Sequence, residues 1–295
     1  MKTVIESLRS DTLRVTDLLK GLLAKSSIHR FYNPATASVV LLGGHYAWDP
    51  LGDEGRRIQA KALEEYRTFH STLTVLLREQ PEDTLSKLSR ADRAVLGFIE
   101  QKETLFKKDA GYYFSEAEKA LQAQADLLER LYGSADRQVL VVPDTNALIF
   151  NPVLQNWRFD GIPKFAIVFT APVLSELDGL KINHRNDDVR RKAESVINQL
   201  KEFRRRALAV GEKLGDGAEL VSGVSRVMST ATEPRMEHSL QWLDPANIDD
   251  RLLASSIEVM RRNARSPVFL VTRDINLQNK ADLARVPFLE PPDPI

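Results

Sequence analysis

The chain has 295 residues, 43% hydrophobic and 28% charged, with 41 Lys and Arg against 41 Asp and Glu and no cysteine. That length suits two domains at roughly 100–200 residues each, and the composition excludes a largely disordered chain, a disulfide scaffold, a thiolate metal site and a cysteine nucleophile. No apolar run approaches the ~20 residues of a membrane span, and the opening MKTVIESLRSD lacks the apolar core of a signal peptide. These features predict a cytoplasmic protein without membrane contact, and a net charge of zero supplies no overall field to attract nucleic acid.

In chain order, residues 3–24 carry Val4, Leu8, Val15, Leu18, Leu19 and Leu22 at helical spacing. Residues 53–79 continue the pattern, and Ser89-Arg90-Ala91-Asp92 predicts the start of a further helix. Ser115-Glu116-Ala117-Glu118 fits a capping box ahead of a helix ending near Leu131. The exception is the β-like run Ser38–Leu42, leading into Gly43-Gly44-His45-Tyr46-Ala47-Trp48, which lacks the pattern of a phosphate loop. Residues 1–135 therefore read as a mostly helical domain with one irregular hairpin or loop. A turn-like stretch from Gly133 to Asp136 marks the boundary.

Residues 136–295 follow a different grammar. Uninterrupted apolar runs at Gln138–Val142, Phe165–Thr170, part of Glu219–Val227 and Val268–Thr272 alternate with amphipathic segments at 189–203 and 250–262. Such runs indicate an α/β domain whose parallel sheet is covered on both faces.

Ligands in open α/β sheets collect outside the carboxyl ends of the strands. Asp144 follows the first run, Glu176 lies just after the second, Asp274 follows the last, and Asp249 and Asp250 open the helix before it. Any one of these acids alone reads as a cap or a helix-dipole partner, and for Asp249 both readings stand. Carboxylates converging in one crevice stay ionised together only around a cation. Oxygen ligands without Cys or clustered His select Mg²⁺ or Mn²⁺, ions that commonly act on phosphates. His29, His45, His70, His184 and His238 show no paired ligand spacing.

At these acids the sequence resembles the PIN-domain nucleases, over about residues 139–291. Asp144-Thr145-Asn146 is similar to the family's first-strand motif, and Leu174–Lys181 (LSELDGLK) to the segment carrying its helix glutamate. Asp249–Ala254 (DDRLLA) resembles the third acidic block, and Leu270–Ala281 (LVTRDINLQNKA) the fourth. The last block looks closest to the PhoH-associated PIN domains and the endonuclease of nonsense-mediated decay. The resemblance implies a Rossmann-like sheet of the PIN type, one or two Mg²⁺ or Mn²⁺ ions, and cleavage of single-stranded RNA. It makes Asp144, Glu176, Asp250 and Asp274 the metal-binding, catalytic acids. Thr145, Asn146, Asp249 and Thr272 would be supporting groups.

Residues 185–206 carry eight basic side chains, among them Arg190, Arg191 and Lys192. They read either as an RNA-backbone contact or as a solvated helix face. Arg251 and Arg273 flank the acids and are better placed to touch a phosphate. Trp157, Phe159 and Trp242 suit packing better than base stacking. The N-terminal helical domain is the candidate surface for self-association or a protein partner. Two alternatives to the nuclease remain: a catalytically idle RNA-binding or assembly module, and a phosphatase. The phosphatase ranks last, because Asn146 stands where a haloacid-dehalogenase-like site needs its second Asp.

Overall fold

A computed structural model of the chain describes residues 3–31, 45–103, 105–132, 138–230 and 232–294. Ser38–Leu42, Gly43, Gly44 and the expected boundary from Gly133 to Asp136 lie outside the described residues. The chain forms two compact units, Ile5–Arg130 and the chain from Leu131 onward. Among the described residues no helix is long and apolar enough to cross a membrane.

The first unit contains α1 (Val4–Leu23), α2 (Asp53–Leu77), α3 (Glu82–Glu100) and α4 (Ala110–Tyr132). Between α1 and α2, β1 (Ile28–Phe31) pairs antiparallel with β2 (His45–Trp48). The predicted apolar face of α1 is the buried one, with Val15, Leu19 and Leu22 fully enclosed. Two predicted helix starts need correction. Helix α3 begins at Glu82, so Ser89–Asp92 lies inside it; Pro81 precedes the helix, and Glu82 and Asp83 place negative charge on its positive end. Helix α4 begins at Ala110, so the Ser115–Glu118 capping box is internal. The Asp109 carboxylate accepts the Tyr112 N–H at 3.2 Å, and packing of Tyr113 on Trp48 and Phe114 on Phe98 holds the first turns helical.

Among the described residues, the second unit is built on a six-stranded sheet of order β5-β6-β4-β3-β7-β8. Its strands are β3 (Val139–Pro143), β4 (Phe165–Phe169), β5 (Ala218–Val221), β6 (Ser225–Ser229), β7 (Val268–Val271) and β8 (Phe288–Leu289). All neighbours run parallel except β5 and β6, which form an edge hairpin. Gly223 turns that hairpin at φ +67°, a conformation glycine adopts without a Cβ clash. Helices α5 (Thr145–Phe150), α6 (Ala171–Asn183), α7 (Asp187–Ala209), α8 (Ile248–Arg262) and α9 (Ile275–Leu283) complete the unit. The expected α/β domain is thus present, and β3 is central: Leu140 pairs with Ala166 on one side and with Val268 on the other. Strands β3, β4 and β7 are almost wholly buried, which is why their sequences are apolar on both faces.

Candidate active site

The chain leaves β3 at Pro143 and turns at once into α5, with Asp144 as the N-cap. The Asp144 carboxylate accepts the Ala147 N–H at 2.6 Å, as a capping side chain does. Its other oxygen accepts the Thr272 hydroxyl at 2.5 Å, and that hydroxyl in turn accepts the Asp274 N–H at 3.0 Å. Thr272 and Asp274 follow the neighbouring strand β7, so the parallel register of β3 and β7 sets two acids side by side. Asp274 caps α9 through the Asn276 and Leu277 N–H groups.

Asp144 is only 5% exposed. Burial pushes its pKa up to about 6, and the charges of Asp249 and Asp274 push the same way, against the Thr272 and Ala147 hydrogen bonds. The pKa of Asp249 is raised too, chiefly by burial, with Asp274 and Asp250 adding and the Lys280 ammonium opposing. Asp144, Asp249 and Asp274 therefore share one electrostatic neighbourhood.

Asp250 is held differently. One oxygen accepts from the Lys280 ammonium at 2.7 Å and the other from the Asp244 N–H at 2.9 Å. The cap of α8 is Asn247, whose side chain accepts the N–H groups of both Asp249 and Asp250. Asp249 is thereby free of the capping role. Glu176, on α6, accepts the Thr145 hydroxyl at 2.6 Å, so the residue beside Asp144 ties the helix glutamate to the same edge. Asn146 is exposed. Among the described residues, no three His, Asp or Glu side chains are drawn together as a finished metal cage.

Arg273 is exposed, and its guanidinium lies 4.0 Å from the centroid of the Phe150 ring at the far end of α5. Arg251 donates to Glu233 at 2.8 Å. Along α7, Arg190 pairs with Asp187, and Arg191 and Lys192 with Asp188. Trp157 is fully buried and donates its indole N–H to the Asn151 carbonyl, while Phe159 packs on Trp157 and Phe165. Trp242 is 42% exposed.

Lys280, Asp244, Asn247 and Phe150 are the partners that sequence reading missed. Asn247 had a local signal, a cap residue two positions before an acidic pair. Lys280 and Asp250 are 30 residues apart, and no periodicity links them.

A family model described as a PIN domain matches residues 141–290, just over half of the chain. The chain belongs to the PIN domain family. No curated protein matches it closely. The PIN match spans Asp144, Glu176, Asp249, Asp250 and Asp274, and PIN domains are in general nucleases, hydrolases that bind nucleic acid.

Proposed function

We propose that the PIN unit is a Mg²⁺- or Mn²⁺-dependent endoribonuclease that hydrolyses phosphodiester bonds of single-stranded RNA, and that it works in the cytoplasm. The observation that carries this reading is Asp144. A carboxylate buried at the end of the central strand, with Asp249 and Asp274 raising its pKa further, is costly unless a cation offsets the charge. The donors suit a hard divalent ion, being carboxylate oxygens with no cysteine in the chain.

Asp144, Glu176, Asp250 and Asp274 would hold the ion, which supplies charge at the scissile phosphate and acidifies its water. The chain's own part is to fix those oxygens. Thr272 orients Asp144, Thr145 orients Glu176, and Lys280 with the Asp244 N–H orients Asp250. Asp249 adds negative potential beside Asp144, and Asn146 stands exposed at the start of α5. Arg273 is the foremost phosphate contact. Arg251 already has Glu233, and Arg190, Arg191 and Lys192 already have acids one helical turn away. The fourth block's likeness to the PhoH-associated and nonsense-mediated-decay branch supports RNA as substrate.

Replacing Asp144 by Asn should lower Mn²⁺-dependent cleavage of labelled single-stranded RNA by about a hundredfold or more, with the far-UV spectrum unchanged. Equal cleavage by the two proteins would sink the assignment. A second reading, an idle RNA-binding module, draws support from the Lys280 ammonium on Asp250, which neutralises one acid internally. RNA retention without cleavage in either metal would favour it.

A further inference from the structure

The helical unit carries a surface that the nuclease reading leaves unused. Phe106 is 83% exposed, although Leu105 beside it is buried and α4 starts a few residues later. The loop around Phe106 is tied on both sides. Leu105 exchanges two backbone hydrogen bonds with Tyr46 of β2, at 3.0 and 2.8 Å. The Tyr113 hydroxyl accepts the N–H groups of Phe106 and Lys107 at 2.9 and 3.0 Å, and its ring packs edge-on against Trp48. The Lys107 ammonium sits 3.5 Å over the Tyr112 ring, which is itself 37% exposed.

With the backbone of its loop hydrogen-bonded on both sides, the Phe106 ring is held in place in water and does not sit on a frayed end. Two exposed lysines follow it in the chain. Among the described residues neither Lys107 nor Lys108 has an ion-pair partner, and both are exposed. Asp109 accepts the Tyr112 N–H, and Asp49, which is bound by Ser27 and His29, feels the Lys108 charge. An exposed π-face flanked by two exposed ammonium groups matches a ligand with planar rings and a negative backbone, which is single-stranded nucleic acid.

We propose that Phe106, with Tyr112, Lys107 and Lys108, forms a docking surface for single-stranded nucleic acid. Phe106 stacks on a base, and the two lysines take the flanking phosphates. The site belongs to the helical unit and needs no metal.

The test uses the full chain in EDTA with fluorescein-labelled oligouridine, oligothymidine and a duplex of the same length, followed by anisotropy. Phe106→Ala should weaken single-strand binding roughly fivefold or more and leave duplex binding unchanged. Lys107→Ala/Lys108→Ala should reduce the salt slope of log K for the single strands by about 1.4. Phe106→Trp should retain affinity and show emission quenching beyond that of the parent protein. Phe106 packs against no core, so circular dichroism should be the same for all variants. Binding is read in EDTA, where metal-dependent cleavage cannot occur, which separates this surface from the proposed cleavage. Failure of the parent chain to bind either single strand would overturn the proposal, as would parental affinity in both the Phe106→Ala and the double lysine variants.

Discussion

Asp144 ties stability to function at the scale of a single carboxyl. Its pKa is about 6 in the folded chain against 3.8 as the ordinary value, so between those values the folded state binds more proton than the unfolded state. Stability must then fall as pH rises through that window, and above it the full cost of the buried charge is present, about 3 kcal/mol or less. In EDTA at pH 7.5, Asp144→Asn should therefore melt higher than the parent chain, and the gap should close near pH 4. A variant that melts lower at both pH values would mean the carboxylate is stabilised where it stands. Thr272→Val removes the donor that fixes Asp144 without removing any acid. It should cost about ten- to a hundredfold in metal-dependent cleavage, visible in single-turnover assays. Asp144 and Asp274 are legible in the sequence because each follows an uninterrupted apolar run. The hydroxyl that joins them is legible only as a neighbour of Asp274, since its partner is 128 residues away.

Among elements, helix termini set what sequence could foretell. α5, α8 and α9 each begin with a side-chain cap, from Asp144, Asn247 and Asp274. The start of α3 lacks a side-chain cap, being marked only by Pro81 and the acids after it, and at α4 the packing of Tyr113 and Phe114 overrides the later capping box. Helix α8 is joined to α9 by Lys280 and Asp250, whose side chains are 30% and 7% exposed. Lys280→Met should destabilise the fold by about 2 kcal/mol in denaturant titrations, because it strips a nearly buried carboxylate of its charged donor. Adding Asp250→Asn should restore part of that loss. In the helical unit, Tyr66 of α2 donates to Asp92 of α3 at 3.0 Å and accepts from Gln124 of α4 at 2.9 Å, while His70 contacts Gln124 at 3.0 Å. Gln124 is fully buried. Tyr66→Phe should cost about 1–3 kcal/mol, since two polar groups lose a partner in a low-dielectric core; a melt unchanged from the parent's would show the network to be dispensable. A lone Gln on an apolar helix face gives no sequence sign of such a network.

For the molecule as a whole, the alternation of apolar runs and amphipathic helices was enough to read the α/β class. The two-residue strand β8 is too short to leave a pattern, and the antiparallel turn of β5 onto β6 falls inside Glu219–Val227, only part of which reads as an apolar run. The strand order carries a further consequence. Strand β7 lies beside β3, yet β4, β5, β6 and helices α5 to α8 come between them in the chain. Asp144 is synthesised well before Thr272, 128 residues further along the chain, and before Asp274. Until then the central strand lacks one neighbour and the first aspartate lacks its partners. In a PIN chain of this order the proposed site can be completed only once β7 has been made, however early its first aspartate appears.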